Sequence, residues 1–364
     1  MTTEVSADSA LLALRDCVRA AHADRTRLRL QGGNTKSFYG EPATGEPLDL
    51  RSIAGIVDYE PTELVVTVRC GTPLAELEQA LAERQQYLAF EPPHFGTGAT
   101  VGGMVAAGLS GPRRATAGAV RDFMLGAVLM NASGELLHFG GQVMKNVAGY
   151  DVSRLLAGSM GILGPIVQVS LKVLPLPAAE ATVCLSIGLR EALAQMNRWG
   201  GQPLPLSATS WAGGELMVRL SGAGAAVDAA VARLAADHGS RLVDPMAARA
   251  HWAGLREQTD AFFDDPLPLW RLSVPSTAPI FELPGRQLVE WGGALRWFKT
   301  EADAAFVRQA AATVGGTASC FRAAEFGSGA FATLPSPILE LHRRIKHEFD
   351  PRGIFNPGRL VAGL

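Results

Sequence analysis

Glycine constrains this chain more than any other residue type. Between Gly96 and Gly164 it places 15 glycines among 69 residues, and only eight residues of that stretch carry charge. A residue without Cβ reaches positive φ freely and lets main-chain N–H groups come close to a neighbour. Two kinds of structure need that. One is a small β-rich domain with many tight turns; the other is a set of loops that hold phosphates with main-chain donors where cations are scarce. Density alone leaves both open.

Charge and cysteine usage remove other classes. The 33 basic and 35 acidic residues nearly cancel, so the electropositive footprint of a nucleic-acid binder is missing. No apolar run reaches the roughly 18 residues of a membrane span, and residues 1–10 lack a basic stretch followed by an apolar one. The expectation is a cytoplasmic protein, at the inner face of the membrane only indirectly, through partners. Cys17, Cys70, Cys184 and Cys320 lie far apart without a CxxC pair, so local spacing builds neither a zinc site nor an iron–sulfur cluster. Reduced thiols and no metal site are expected.

The common nucleotide and hydrolase signatures fail. No GxxxxGK[ST], GxSxG or HExxH is present. Gly222-Ala223-Gly224-Ala225-Ala226-Val227 follows a strand pattern and opens a helix. Its valine stands where the dinucleotide fingerprint needs a small residue for close helix–strand packing, and it reads as a plain strand–helix turn.

Along the chain, Leu11, Leu14, Val18 and Ala21 predict an amphipathic helix over 9–24, and a strand over 27–30 runs into the first glycine loop. Strands are expected over 53–59 and 64–68. Thr72-Pro73 reads as an N-cap and N1 pair opening a helix to about residue 86. A hairpin about Ser133-Gly134 and a strand over 165–174 follow, and the Pro175/Pro177 pair marks a domain boundary. Beyond it, strand 182–188, helix 190–199, strands 206–211 and 214–220 and helix 224–238 make a βαββα order similar to a ferredoxin-like sheet. Strands near 268–274 and 286–298 and a helix over 336–349 complete the chain.

Four glycine elements in order resemble the FAD-linked oxidases of the vanillyl-alcohol oxidase and p-cresol methylhydroxylase (PCMH) type. Gln31-Gly32-Gly33-Asn34-Thr35-Lys36 is similar to the family's R-G-G-G-T-S pyrophosphate loop, with asparagine, a residue tolerant of αL, replacing a glycine. The stretch from Ala99 through Thr100, Gly102 and Gly103 to Ala106 resembles P-T-x-G-G-x-x-A, and Arg121-Asp122 to Gly126 resembles R-D-x-V-L-G. Lys145-Asn146-Val147-Ala148-Gly149-Tyr150-Asp151, with Gly158, Ser159, Gly161, Gly164 and Ile166 behind it, resembles K-N-x-x-G-Y-D-L…G-S-E-G-x-L-G-I-I. Phe355-Asn356-Pro357-Gly358-Arg359 is similar to the N-P-G-K whose asparagine returns to the flavin.

The resemblance implies an α+β protein: a two-subdomain PCMH-type FAD-binding domain over 1–177, a ferredoxin-like α+β domain over 178–330, and a C-terminal segment, 331–364, packing back on the FAD domain. It implies noncovalent FAD held by Gln31, Gly32, Gly33, Asn34, Thr35, Lys36, Thr100, Gly102, Gly103, Gly108, Asp122, Lys145, Gly149, Tyr150, Gly158, Ser159, Gly161, Gly164, Ile166 and Asn356. Within the family, Glu91 to Gly96, Gly108 to Arg114 and Trp291 to Trp297 look like the E-subunit family of bacterial glycolate oxidases. Such a subunit works beside a D-type flavoprotein subunit and an F-type iron–sulfur subunit, taking glycolate to glyoxylate with electrons moving towards quinone.

The H-x-G-D-G-N-x-H motif of related D-2-hydroxy-acid dehydrogenases is missing here. Arg296 is the candidate for holding a substrate carboxylate, against a reading as a surface or flavin-edge arginine between aromatic packers. His94 is a candidate flavin neighbour, Lys36 and Lys145 are candidate counter-charges to phosphate or flavin, against a reading as solvated loop lysines, and Arg113-Arg114 is either a salt-bridged surface pair or a partner or flavin contact. Three functions stay open: a flavin relay subunit of a glycolate dehydrogenase, an autonomous FAD-dependent 2-hydroxy-acid oxidoreductase, and a structural subunit with a retained FAD fold.

Overall fold

The computed structural model describes residues 8–141, 151–324, 327 and 329–364. Lys145, Gly149 and Tyr150 lie outside them. Helix Ser9–Asp24 starts where the Asp8 carboxylate accepts the Ala10 amide at 2.9 Å and stops at Arg25, whose φ of 59° is left-handed. It buries the expected Leu11, Leu14, Val18 and Ala21 against Val128, Met130 and Phe355.

The first sheet is antiparallel, in the order Ile56–Glu60, Val65–Arg69, Ile166–Lys172, Met124–Met130, Leu136–Gly140. Its middle strands are buried almost continuously, because helices Leu74–Ala82 and Val101–Ala107 add their apolar residues to one core with it and Ser9–Asp24 packs elsewhere on it. The helix expected from Thr72-Pro73 begins one residue later and ends at Ala82. Thr72 does not cap it: its hydroxyl donates to the Arg69 carbonyl at 2.7 Å and accepts the Gly55 amide at 2.8 Å.

The second sheet repeats one pattern. Ala179–Ser186, helix Leu189–Gly200, Leu206–Ala212, Glu215–Gly222, helix Gly224–His238 and Arg241–Leu242 place their strands in the spatial order fourth, first, third, second, which is the ferredoxin-like arrangement. Leu269–Ser273, Arg286–Glu290, Leu295–Lys299, helix Ala304–Ala312 and Thr317–Arg322 take the same order, without a helix between their first two strands. The halves join where Leu206–Ala212 pairs with Arg286–Glu290, giving eight strands. The single strand expected over 286–298 is therefore a hairpin, broken at Gly292 (φ 65°) and Gly293 (φ 101°), where a Cβ on Gly293 would lie 2.7 Å from the Ser276 carbonyl.

One face of this sheet covers the glycine-rich unit. Tyr39, Ala107, Leu109 and Met160 pack with Leu288, Leu295, Trp297 and Phe321. Beside them runs a buried ionic bolt: Glu91 takes Arg219 at 2.9 Å and the Arg113 amide at 2.8 Å, while Arg113 reaches Glu180 at 2.7 Å. Arg113 is thus buried rather than half of a surface pair, and Arg114 lies over the Trp291 ring at 4.5 Å.

Helix Ser336–Phe349 leans Leu339, Ile345 and Phe349 on the first core. Its Lys346 is buried, donating to the carbonyls of Ile162 (2.7 Å) and Phe355 (2.9 Å) and to Asp350 (2.7 Å). From there the chain returns to the strand Leu28–Gln31, through Leu28 N–H to Ile354 O and Asn356 N–H to Leu28 O.

Candidate functional site

A cleft of about 150 Å³ opens where the first glycine loop, the helix Val101–Ala107, the 160–166 segment and the returning C-terminus meet. Gln31, Gly32, Gly33, Asn34, Thr35 and Lys36 line it as one turn. The carbonyls of Asn34 and Lys36 accept the amides of Ser37 and Tyr39, and Asn34 takes the left-handed φ of 57°. Among the described residues, the amides of Gly32 through Lys36 find no acceptor, which is costly for main-chain donors unless water or a ligand meets them. The turn needs its glycines because it presses on the opposite loop. A Cβ on Gly33 would sit 1.4 Å from the Gly98 carbonyl oxygen, and one on Gly32 2.3 Å from Thr100 Oγ1.

The opposite wall carries Thr100, Gly102, Gly103, Gly161, Gly164 and Ile166. Thr100 caps the helix, accepting the Gly103 amide at 3.2 Å, while the Gly102 amide goes to the Cys70 carbonyl at 2.7 Å. These helix amides are spent inside the protein, so the open donors belong to the first turn. A Cβ on Gly103 would meet Thr100 Oγ1 at 3.2 Å and no other atom within 4 Å, so a larger side chain there would enter the cleft.

Two C-terminal residues hold the floor. Asn356, buried with φ 40°, accepts the Leu30 amide through Oδ1 and donates from Nδ2 to the Met160 carbonyl, each at 2.8 Å. Arg359 also lines the cleft and donates to the carbonyls of Ser37 (2.9 Å), Tyr39 (2.6 Å) and Glu41, fixing the turn's exit. Sequence reasoning missed Arg359, although it closes the Phe355 to Arg359 motif; its spacing from the loop, over 300 residues, carried no signal.

Lys36 is the cation of the turn. Its Nζ donates to the His94 carbonyl at 3.1 Å, and burial lowers its pKa to about 8 against the pull of Glu257. His94 turns its ring to Glu78 at 2.9 Å, so it serves as a hydrogen-bonding partner inside the fold. Consecutive free amides, a half-buried lysine and bare glycine walls suit the pyrophosphate of a dinucleotide, whose negative charge would be met by oriented N–H dipoles.

Four expected residues stand behind the cleft instead of lining it. Gly108 and Gly158 pack backbone to backbone, 2.8 Å separating a Cβ on Gly108 from Gly158 Cα. Ser159 is buried and Asp122 accepts the Ala119 amide at 2.8 Å. Arg296 departs further from expectation. It is fully buried, donating to the carbonyls of Gly293 (3.2 Å), Ala278 (2.5 Å) and Pro279, over the Phe281 ring at 4.9 Å. Its guanidinium is consumed by the helix-free connection between the first two strands of the second half, and it is neither a surface residue nor open to a carboxylate.

The family model described as an FAD binding domain matches residues 11–140. The glycolate oxidase subunit GlcE of Escherichia coli (strain K12) is 47% identical over 352 residues, covering 97% of this chain and 97% of that protein. The chain belongs to the GlcE family. A D-2-hydroxyglutarate dehydrogenase of Xanthomonas citri pv. viticola is 30% identical over 182 residues, which span 49% of this GlcE-family chain and 38% of the dehydrogenase. Among solved structures, an alkyldihydroxyacetonephosphate synthase superposes with a TM-score of 0.66 at 14% identity, covering 94% of the chain and 75% of that protein, a likeness of fold. No helix among the described residues of the GlcE-family chain is long and apolar enough to cross a membrane.

Proposed function

We propose that this chain is the FAD-binding subunit of a glycolate oxidase complex that takes glycolate to glyoxylate. The observation that carries the reading is the Gly32 to Lys36 turn, which lines the cleft and whose amides find no acceptor among the described residues, in a chain related along nearly its whole length to a glycolate oxidase subunit. Bound noncovalently, FAD supplies a two-electron acceptor that no side chain can replace. This chain's residues do the rest of the holding. The turn amides and Lys36 meet the diphosphate, Gly103 leaves room beside it, and Asn356 and Arg359 keep the turn in place. The complex adds a D-type flavoprotein subunit and an F-type iron–sulfur subunit, through which electrons leave towards quinone. The missing histidine motif supports placing substrate oxidation chiefly on the D-type subunit.

The test is to purify the chain alone, record its flavin spectrum, and add glycolate anaerobically with and without the partner subunits. Bound flavin that is reduced only with the partners present is the expected result. Colourless protein that still assembles the complex would refute flavin binding, and bleaching by glycolate alone would refute the dependence on a D-type subunit.

A further inference from the structure

One carboxylate of the eight-stranded unit reaches across to the loop beside Lys36. Glu257 ends the helix Pro245–Glu257, where a negative charge meets the negative end of the helix dipole, so its place does not serve its own helix. The carboxylate accepts two successive amides of the glycine-rich unit, His94 N–H at 3.0 Å and Phe95 N–H at 2.8 Å. Successive N–H groups converging on one anion form a nest. This one holds Phe95 at a left-handed φ of 54°, a conformation that a bulky residue keeps only when its surroundings impose it.

The His94 carbonyl and the Phe95 N–H belong to one peptide unit, and in a trans peptide the two point in opposite directions. A carboxylate fixed on the N–H therefore aims the carbonyl away from Glu257. On that far side the carbonyl accepts Lys36 Nζ at 3.1 Å. One rigid plane thus stands between an anion of the eight-stranded unit and the cation of the turn, and rotating it would break both bonds at once.

The other charges near Lys36 are cations or are engaged elsewhere. Arg322, on the strand Thr317–Arg322, lies over the Phe38 and Phe95 rings at 4.3 and 5.9 Å, and Lys36 Nζ itself lies 5.7 Å from the Phe95 ring. Arg359 donates to main-chain carbonyls of the turn, and Arg256 pairs with Glu257 at 2.7 Å. Glu78 takes the His94 ring at 2.9 Å, and Glu41 takes the Ala330 amide at 2.6 Å. Among the described residues, Glu257 is the carboxylate whose charge opposes the effect of burial on Lys36.

We propose that Glu257 is a positioning residue for the flavin cleft: it orients the His94–Phe95 peptide so that the carbonyl holds Lys36 in the turn, and its charge keeps that lysine an ammonium. Only the meeting of Lys36 with the flavin diphosphate is taken from the function proposed above. The eight-stranded unit then belongs to the cofactor site without lining it.

Glu257→Gln separates charge from packing, since it keeps an acceptor for the amides and loses the carboxylate. The flavin-free chain labelled with 13C-lysine has five lysines to resolve by NMR, and the Lys36 signal is assigned by its loss in Lys36→Met. Lys36 is expected to titrate near pH 8 in the parent and about half a unit or more lower in Glu257→Gln. With FAD added, the pH at which retention falls should move down by the same amount, whereas a purely structural loss would lower retention equally at every pH. An unmoved Lys36 titration in a folded Glu257→Gln chain overturns the proposal, as does a moved titration with an unmoved retention profile. If that variant does not fold, reciprocity decides: Lys36→Met should raise the Glu257 carboxyl titration by a similar shift in a 13C-glutamate-labelled chain, and no change there overturns the proposal. A chain that holds no FAD overturns the proposed function, and the lysine titration then still decides whether Glu257 holds Lys36.

Discussion

Asn356 separates two ways in which a C-terminal asparagine can serve a flavin cleft. If its side chain touches the cofactor directly, its loss weakens FAD binding and leaves the cofactor-free protein alone. In the structure both of its polar atoms are spent on the protein, on Leu30 N–H and Met160 C=O. Asn356→Ala strands two buried main-chain groups at roughly 1–3 kcal/mol each and puts alanine at a φ of 40°, worth about 1 kcal/mol more. The sum is about 3–7 kcal/mol, or a drop in melting temperature of about 4–9 °C for a chain of this size. Thermal unfolding of the flavin-free protein reads this directly, and Asn356→Gly, which relieves the backbone, isolates the hydrogen-bond part. A flavin-free Asn356→Ala protein that melts within about 1 °C of the parent, while FAD affinity falls, would refute the reasoning.

Lys36→Met should lower FAD retention about tenfold, read by fluorescence titration. The parent's retention should fall as pH rises through about 8, where the folded, flavin-free lysine gives up its proton, and the variant should lack that fall. Glu290, whose pKa burial raises, keeps its proton to about pH 7 when folded and loses it near 4.5 when unfolded. Stability should therefore decline from pH 4.5 to 7 by an amount on the order of 3 kcal/mol, and Glu290→Gln should flatten that slope in urea titrations. Glu91→Gln leaves Arg113 and Arg219 buried with half their partner charge, and should cost about 3 kcal/mol. Although burial opposes it, the two arginines hold the Glu91 pKa below its ordinary value; this contribution is present above about pH 4.5 and is lost as pH falls through the depressed value.

The glycine loops were legible because their demand is steric. Gly33 meets the Gly98 main chain and Gly32 the Thr100 side chain so closely that a Cβ does not fit, and the family motif records that need. The same logic over-reached at Gly108 and Gly158, whose close approach is to each other. Asp122, legible as part of a motif, caps the start of the short helix Val120–Phe123. Arg296 was misread because an arginine between tryptophans looks like a reagent. Its strand is buried on both faces, so alternation gives no hint, and the carbonyls of Ala278 and Pro279, in the connection before the hairpin, satisfy it together with nearby Gly293. Lys346 and Asp350 carried no sign in the sequence of the buried pair they form, since it is the returning chain that makes their surroundings interior.

The floor of the cleft joins residues 326 positions apart in the chain, Leu30 and Asn356, with Arg359 gripping the turn after Lys36. Both sheets can be synthesised and paired before that floor exists. On a ribosome, the glycine loops would emerge early and wait, open, until the last of their supports had left the exit tunnel. Cofactor loading is then an event that follows synthesis of the returning segment, and a nascent chain arrested before residue 356 would carry the loops without a place to close them. Under the proposed function, capture of flavin would report that the chain has been made through Arg359.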